Sequence, residues 1–212
     1  MRDARFRRLG TLSSVAALVG WSFASPRLSG TWRVTLQAGV GALLAVVARA
    51  PLGLCPPRLW VGMRLGSAAG VAAASVIAAA TSAPPVRLSM AARELPASVP
   101  GWLLLRIPVG TVWAEEAAFR GALATAGRGA FGEPGGRLLQ AVTFGLFHIA
   151  DARATGEPVV ATVLVTAIGG WLFGWLADRS GSLAAPMLAH LAINEAGAIA
   201  ALTVRRSRTH CR

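Results

Sequence analysis

The chain has 212 residues, 54% of them hydrophobic and only 14% charged, with a mean hydropathy of +0.56; water-soluble domains carry nearer about a quarter charged residues, so the composition excludes one and makes a bilayer the solvent. At about 20 apolar residues per spanning helix, the length allows about seven or eight spans on short loops and no separate soluble domain. The net charge of +12 comes from arginine alone, placed in terminal clusters and between apolar segments as membrane topology requires, whereas a nucleic-acid face needs aromatic interleaving on a polar scaffold, so no nucleic-acid partner is expected.

Arg2, Arg5, Arg7 and Arg8 precede the apolar run 9–24, which reads as an uncleaved first span; the alternative is a signal peptide with a small-residue cleavage site around Ser22 and Ala24. A second run, 34–48, ends before Pro51. A third, 59–83, is rich in Ala and Gly as close-packed membrane helices are, and Pro84-Pro85 stops it. Residues 86–101 mix Arg87, Arg93, Glu94 and two prolines with apolar positions, which suits a short interfacial segment. Residues 102–124 are long enough to cross, yet hold Arg106, Glu115, Glu116 and Arg120. A Gly-rich loop is expected over 127–136, and a short segment holding His148 over 137–150. A clean span follows at 158–177, then a span at 182–204 interrupted by His190, Asn194 and Glu195.

The predicted fold class is therefore all-α, a polytopic membrane bundle of about seven helices, within a range of six to eight. Its parts are N-terminal accessory helices (1–101), a core carrying the polar residues (102–204) and a basic tail (205–212). Seven spans place the tail arginines, Arg205, Arg206, Arg208 and Arg212, opposite the basic N-terminus, against the positive-inside expectation. One segment is then expected not to cross fully, and the mouth of any site is expected on the side of the N-terminus. Cys55 and Cys211 have neither the count nor the spacing of a disulfide framework or metal site.

A charge at mid-membrane costs about 2.5 to 3.5 kcal/mol on insertion scales, so such residues face a protein interior or a water-filled cavity. Here they cluster in three helices. Glu116 and Arg120 are four residues apart and can pair on one helical face, while Glu115 is rotated about 100° away and left available. The alternative is that both glutamates merely neutralise Arg106 and Arg120. His148 stands one turn after Phe144, and His190 one turn before Asn194, so each pair shares a face. Either histidine alone can be a hydrogen-bonded core residue, and Asn194 alone can be helix-packing glue.

Depth ties them together. Glu115 lies 12 residues before Gly127, His148 lies 11 after Arg137 and His190 lies 8 after Ser182. At 1.5 Å per residue these are depths of roughly 12 to 18 Å, and alternating helix directions put all three reference ends at one membrane face. A carboxylate and an imidazole at one level can position and deprotonate a water, and an imidazole with a carboxamide can donate hydrogen bonds to an oxyanion. Glu115, His148 and His190 can equally form a zinc site with an open position. H-E-x-x-H is absent, so the zincin pattern lends that no support.

The three groups, Glu115-Glu116-x-x-x-Arg120, Phe144-x-x-x-His148 and His190-x-x-x-Asn194, resemble in order the motifs of the CPBP family, the CAAX protease and bacteriocin-processing or abortive-infection proteins. The run Ser180-Gly-Ser-Leu-Ala-Ala-Pro before His190 is also similar to the family's approach to its third motif, and residues 53–60 carry a fainter likeness. The resemblance implies an intramembrane endopeptidase acting on a membrane-associated protein or peptide, in which Glu115 and His148 activate water and His190 and Asn194 stabilise the oxyanion. Glu116, Arg120 and Phe144 would support the site. Family names say metalloprotease, whereas the arrangement can work as a glutamate protease with no cofactor; zinc is the alternative. A non-catalytic binding, immunity or scaffold protein of the same fold is the competing function, and a proton-coupled carrier is disfavoured because the polar residues occupy one half of the chain without a repeat. The expected location is a bacterial plasma membrane.

Overall fold

The computed structural model describes residues 2–92 and 94–209; Arg93, Cys211 and Arg212 lie outside them. Among the described residues there is no strand, and seven long helices carry the fold. We number them α1 (Arg2–Ala24), α2 (Gly30–Val47), α3 (Arg58–Ala80), the short α4 (Pro84–Ala92), α5 (99–131), α6 (133–147), the short α7 (Ile149–Thr155), α8 (Val159–Ser180) and α9 (Ala184–Thr209). By length and composition α3, α8 and α9 are apolar enough to cross a membrane, and residues 32–47 of α2 form a shorter apolar helix. Large apolar side chains face outward on several helices, Val46, Val71, Leu104 and Val160 among them, which is the surface a lipid solvent favours and water does not.

Glycine sets how closely the helices approach. Gly62, Gly66 and Gly70 form one small-residue stripe on α3 against the first turns of α9, and a Cβ at Gly66 would stand 2.6 Å from the carbonyl oxygen of Ala185. Without a hydrophobic force between helices in lipid, such backbone approach is a main source of association. The loop before α3 joins the same contact. Leu183 donates its N–H to the Leu52 carbonyl at 2.8 Å, and Gly53, with φ +60, lies where a Cβ would collide with Gly181.

The expected Gly-rich loop at 127–136 is not a loop. Helix continues on both sides of a single break at Gly132 (φ 76, ψ 172), with Pro134 in the first turn of α6, where its missing N–H costs nothing. Gly127 and Gly136 instead serve a tight helix crossing, because a Cβ on Gly136 would come within 2.5 Å of the Arg128 nitrogen. Helix also runs on through Arg205 and Arg206 in α9.

Contacts fix the direction of each helix. The Thr11 hydroxyl of α1 meets the Ala126 carbonyl, Arg128 meets Asp178 at the end of α8, and Leu183 meets Leu52. The start of α1, the α2–α3 loop, the α5–α6 turn and the α8–α9 turn thus share one end of the bundle. The 26 residues of α9 then run the length of the bundle, about 39 Å at 1.5 Å per residue, to finish at the opposite end from the start of α1.

Candidate active site

α5 brings in the carboxylates. It is wound as π-helix over Trp102–Trp113 and Ala117–Leu123, with an α-turn at Ala114–Glu116 between them. Pro108, which has no N–H to give an α ladder, sits inside the first π stretch. Such windings are rare and gather at functional sites. α2 seats this turn closely: Gly41 packs on the backbone of Ala114, where a Cβ would come within 2.6 Å, and Trp113 donates its indole N–H to the Ala38 carbonyl at 3.3 Å.

Glu116 and Arg120 form the expected pair, Nη1 to Oε1 at 3.0 Å with both side chains fully buried. The same Oε1 also faces Nδ1 of His190 at 2.8 Å, a contact across helices that spacing does not show. A carboxylate oxygen only accepts, so Nδ1 carries the proton and Nε2 is turned away from Glu116. Nε2 looks toward Glu115, whose Oε2 is 3.9 Å from it. That gap is too long for a hydrogen bond and suits an atom lying between them.

Aromatic rings hold these groups in place. The Phe173 ring stacks on the His190 imidazole, 5.0 Å between centroids and 26° between planes, while Phe144 meets the same imidazole edge-on. The Arg120 guanidinium lies 4.0 Å from the Phe144 ring centre and 5.0 Å from that of Phe173, the arrangement of cation–π attraction. Phe119 completes the enclosure. Phe119 and Phe173 carry no mark in the motifs; the only signal for Phe173 is its place inside Gly170-x-x-x-Gly174, a close-packing pattern.

His148 caps α6, and its Nδ1 lies 2.7 Å from the Phe144 carbonyl. The carbonyl accepts, so this nitrogen donates and Nε2 is the nitrogen left for other partners. Its ring meets Phe144 and Phe147 edge-on. Among the described residues Glu115 has no hydrogen bond or ion pair with His148; its nearest imidazole is that of His190. Asn194 donates from Nδ2 to the His190 carbonyl at 3.1 Å, which leaves its second amide hydrogen free of that bond. Glu195, next to it, keeps one buried oxygen without a partner. No three His, Cys, Asp or Glu side chains converge at metal-binding spacing among the described residues, so the zinc set Glu115, His148 and His190 is not drawn together as ligands.

Among the described residues, openings lie beside these groups. An apolar crevice between α1, α2 and α5, with about 310 Å³ of empty space including its open side, is lined by Leu18, Trp21, Val40, Phe119, Phe147 and Glu115. A polar one, lined by Arg120 and Gln140, opens at the end of the bundle that holds the start of α1.

Residues 97–196 match the family profile described as Rce1-like, type II CAAX prenyl endopeptidase. This stretch, just under half of the chain, is similar to the Rce1-like domains of the CPBP family. It contains every residue of the three motifs. No curated protein and no solved structure matches the chain significantly. The match supports a CAAX-type intramembrane protease in general, and with the apolar helices it supports an integral membrane protein with a peptide substrate.

Proposed function

We propose that the chain is a glutamate-type intramembrane endopeptidase of a bacterial plasma membrane, cutting a peptide bond of a membrane-associated protein or peptide, with no metal required. The observation that carries this is the Glu115 carboxylate and the His190 Nε2 facing each other at 3.9 Å beside the apolar crevice, where a peptide enters from lipid. Glu115, with the His148 Nε2 as second base, takes a proton from water as the water oxygen bonds to the carbonyl carbon. The oxyanion takes hydrogen bonds from Asn194 and from Nε2–H of a His190 ring that is doubly protonated before the step and remains so after it. Collapse then breaks the C–N bond, and the proton passes to the leaving amine. Glu116 and Arg120 hold the His190 ring at its angle, and no step runs through a metal.

The test is incubation of purified wild-type and Glu115→Ala protein with a library of membrane peptides, cleavage being read by mass spectrometry. Cleavage by the wild type, reduced more than about tenfold in the variant, or over 1.4 kcal/mol in barrier, is the expected result. Equal cleavage by both proteins removes Glu115 from the mechanism.

A further inference from the structure

The polar opening is not used by the peptide-binding arrangement. It has about 220 Å³ of empty space including its mouth, and runs between α5, α6 and α8 from Arg128, Arg137 and Asp178 down to Arg120 and Gln140. At the mouth Asp178 accepts from Arg128 at 2.8 Å and from two nitrogens of Arg137 at 2.9 and 2.7 Å, with these side chains about 30% exposed. At the floor the fully buried Arg120 has Nε and Nη2 without a partner, and the fully buried Gln140 has Oε1 without one.

Those orphaned atoms are of opposite kinds. Gln140 donates from Nε2 to the carbonyls of Arg137 and Gly170, which fixes its amide so that Oε1 presents only an acceptor. Arg120 presents only donors. An anion would satisfy Arg120 but be repelled by Oε1 and by Asp178, and a cation would be repelled by Arg120. A water satisfies both, accepting from one and donating to the other, and buried waters characteristically rest on two to four such groups.

We propose that this cavity is a hydration site, in which one ordered water bridges Arg120 and Gln140 beside the buried Glu116–Arg120–His190 cluster, separate from the crevice at Glu115. The use of this water in hydrolysis rests on the protease reading; its presence does not.

X-ray radiolysis of the full chain in nanodiscs separates the two. Hydroxyl radicals born from bound water hydroxylate the rings beside it, here Phe144 and Phe173, which flank Arg120; Phe147, on the other opening, serves as internal reference. Ala177 lines the cavity. Wild type and Ala177→Ser should be labelled at Phe144 and Phe173 alike, and Ala177→Leu, which fills the passage, should lower both at least fivefold with Phe147 unchanged. Wild-type Phe144 and Phe173 left unlabelled, or labelled equally in Ala177→Leu, would overturn the proposal. Neither result depends on turnover, so the loss of this site and the loss of protease activity are distinguishable.

Discussion

A single oxygen, Oε1 of Glu116, takes hydrogen bonds from both Arg120 and His190, so the three side chains stand or fall together. Removing the guanidinium leaves a fully buried carboxylate facing His190 alone. Breaking a buried pair from one side costs about 3–5 kcal/mol, and Arg120→Ala is therefore expected to lower the melting temperature in detergent as well as activity. Glu115→Ala, whose side chain is 13% exposed at the crevice, should leave the melting temperature near wild type. An Arg120→Ala protein that melts like wild type yet cuts nothing would make Arg120 a substrate-binding group instead. Asn194 has a different signature. Its amide donates to its own helix, and an oxyanion donor supplies roughly 10²–10³ in kcat, so Asn194→Ala should lower kcat by about that factor with KM and thermal stability little changed. A loss confined to KM would place Asn194 in ground-state binding.

At the scale of helices, the close approaches are the vulnerable points. Gly41→Leu must push α2 off the Ala114 backbone, and because that backbone carries Glu115, the expected outcome is an inserted protein with cleavage lost. Gly39→Leu, on the same helix with nothing within 4 Å of its Cβ, is the control and should keep cleavage. Equal activity in the two proteins would show that α2 does not seat the carboxylate. The same scale explains what sequence could and could not show. The Glu116–Arg120 pair was legible because four residues on one helix are neighbours whatever else the fold does. Counting residues to helix ends at a fixed rise put Glu115 and the two histidines at one level, but it took 127 and 137 as those ends; with helix continuing to the break at Gly132 the ends move, and the approach seen is that of His190 to Glu115. The Glu116–His190 bond was not legible, because it depends on how two helices distant in sequence are rotated against each other. The glycines at 127–136 do not form the expected loop because the same residue type permits a turn and permits a tight helix crossing, and only the partner helix distinguishes them. Phe173 is hidden for a related reason: in sequence, a phenylalanine in a clean apolar span is indistinguishable from one facing lipid.

For the molecule as a whole, seven long helices in alternating directions put the first turn of α1 and the last turn of α9 at opposite ends. The arginines of α1 and of the end of α9 therefore do not lie on one side, and the positive-inside expectation does not decide orientation here. A reporter that fluoresces only in the cytoplasm, fused before α1 or after α9, should light at one fusion and stay dark at the other; signal at both would mean that one helix does not cross. Cofactor dependence also belongs to the whole protein. Activity is expected to survive exhaustive chelation, with elemental analysis of the active protein showing no stoichiometric zinc. Loss on chelation, restored only by a divalent ion, would convert Glu115 into a ligand or into a base beside metal-bound water.

The strap between Leu52 and Leu183, with Gly53 pressed on Gly181, bears on modularity. The family profile covers residues 97–196, yet α9, which carries His190 and Asn194, is held at its start by the loop before α3 and along its next turns by the glycines of α3. Cutting the chain down to the recognisable part would bare the backbone of Ala185 and release the histidine helix from its anchor. Homologous recombination or domain swapping at residue 97 is thus expected to yield no active unit unless the incoming N-terminal half brings its own small-residue helix to replace α3.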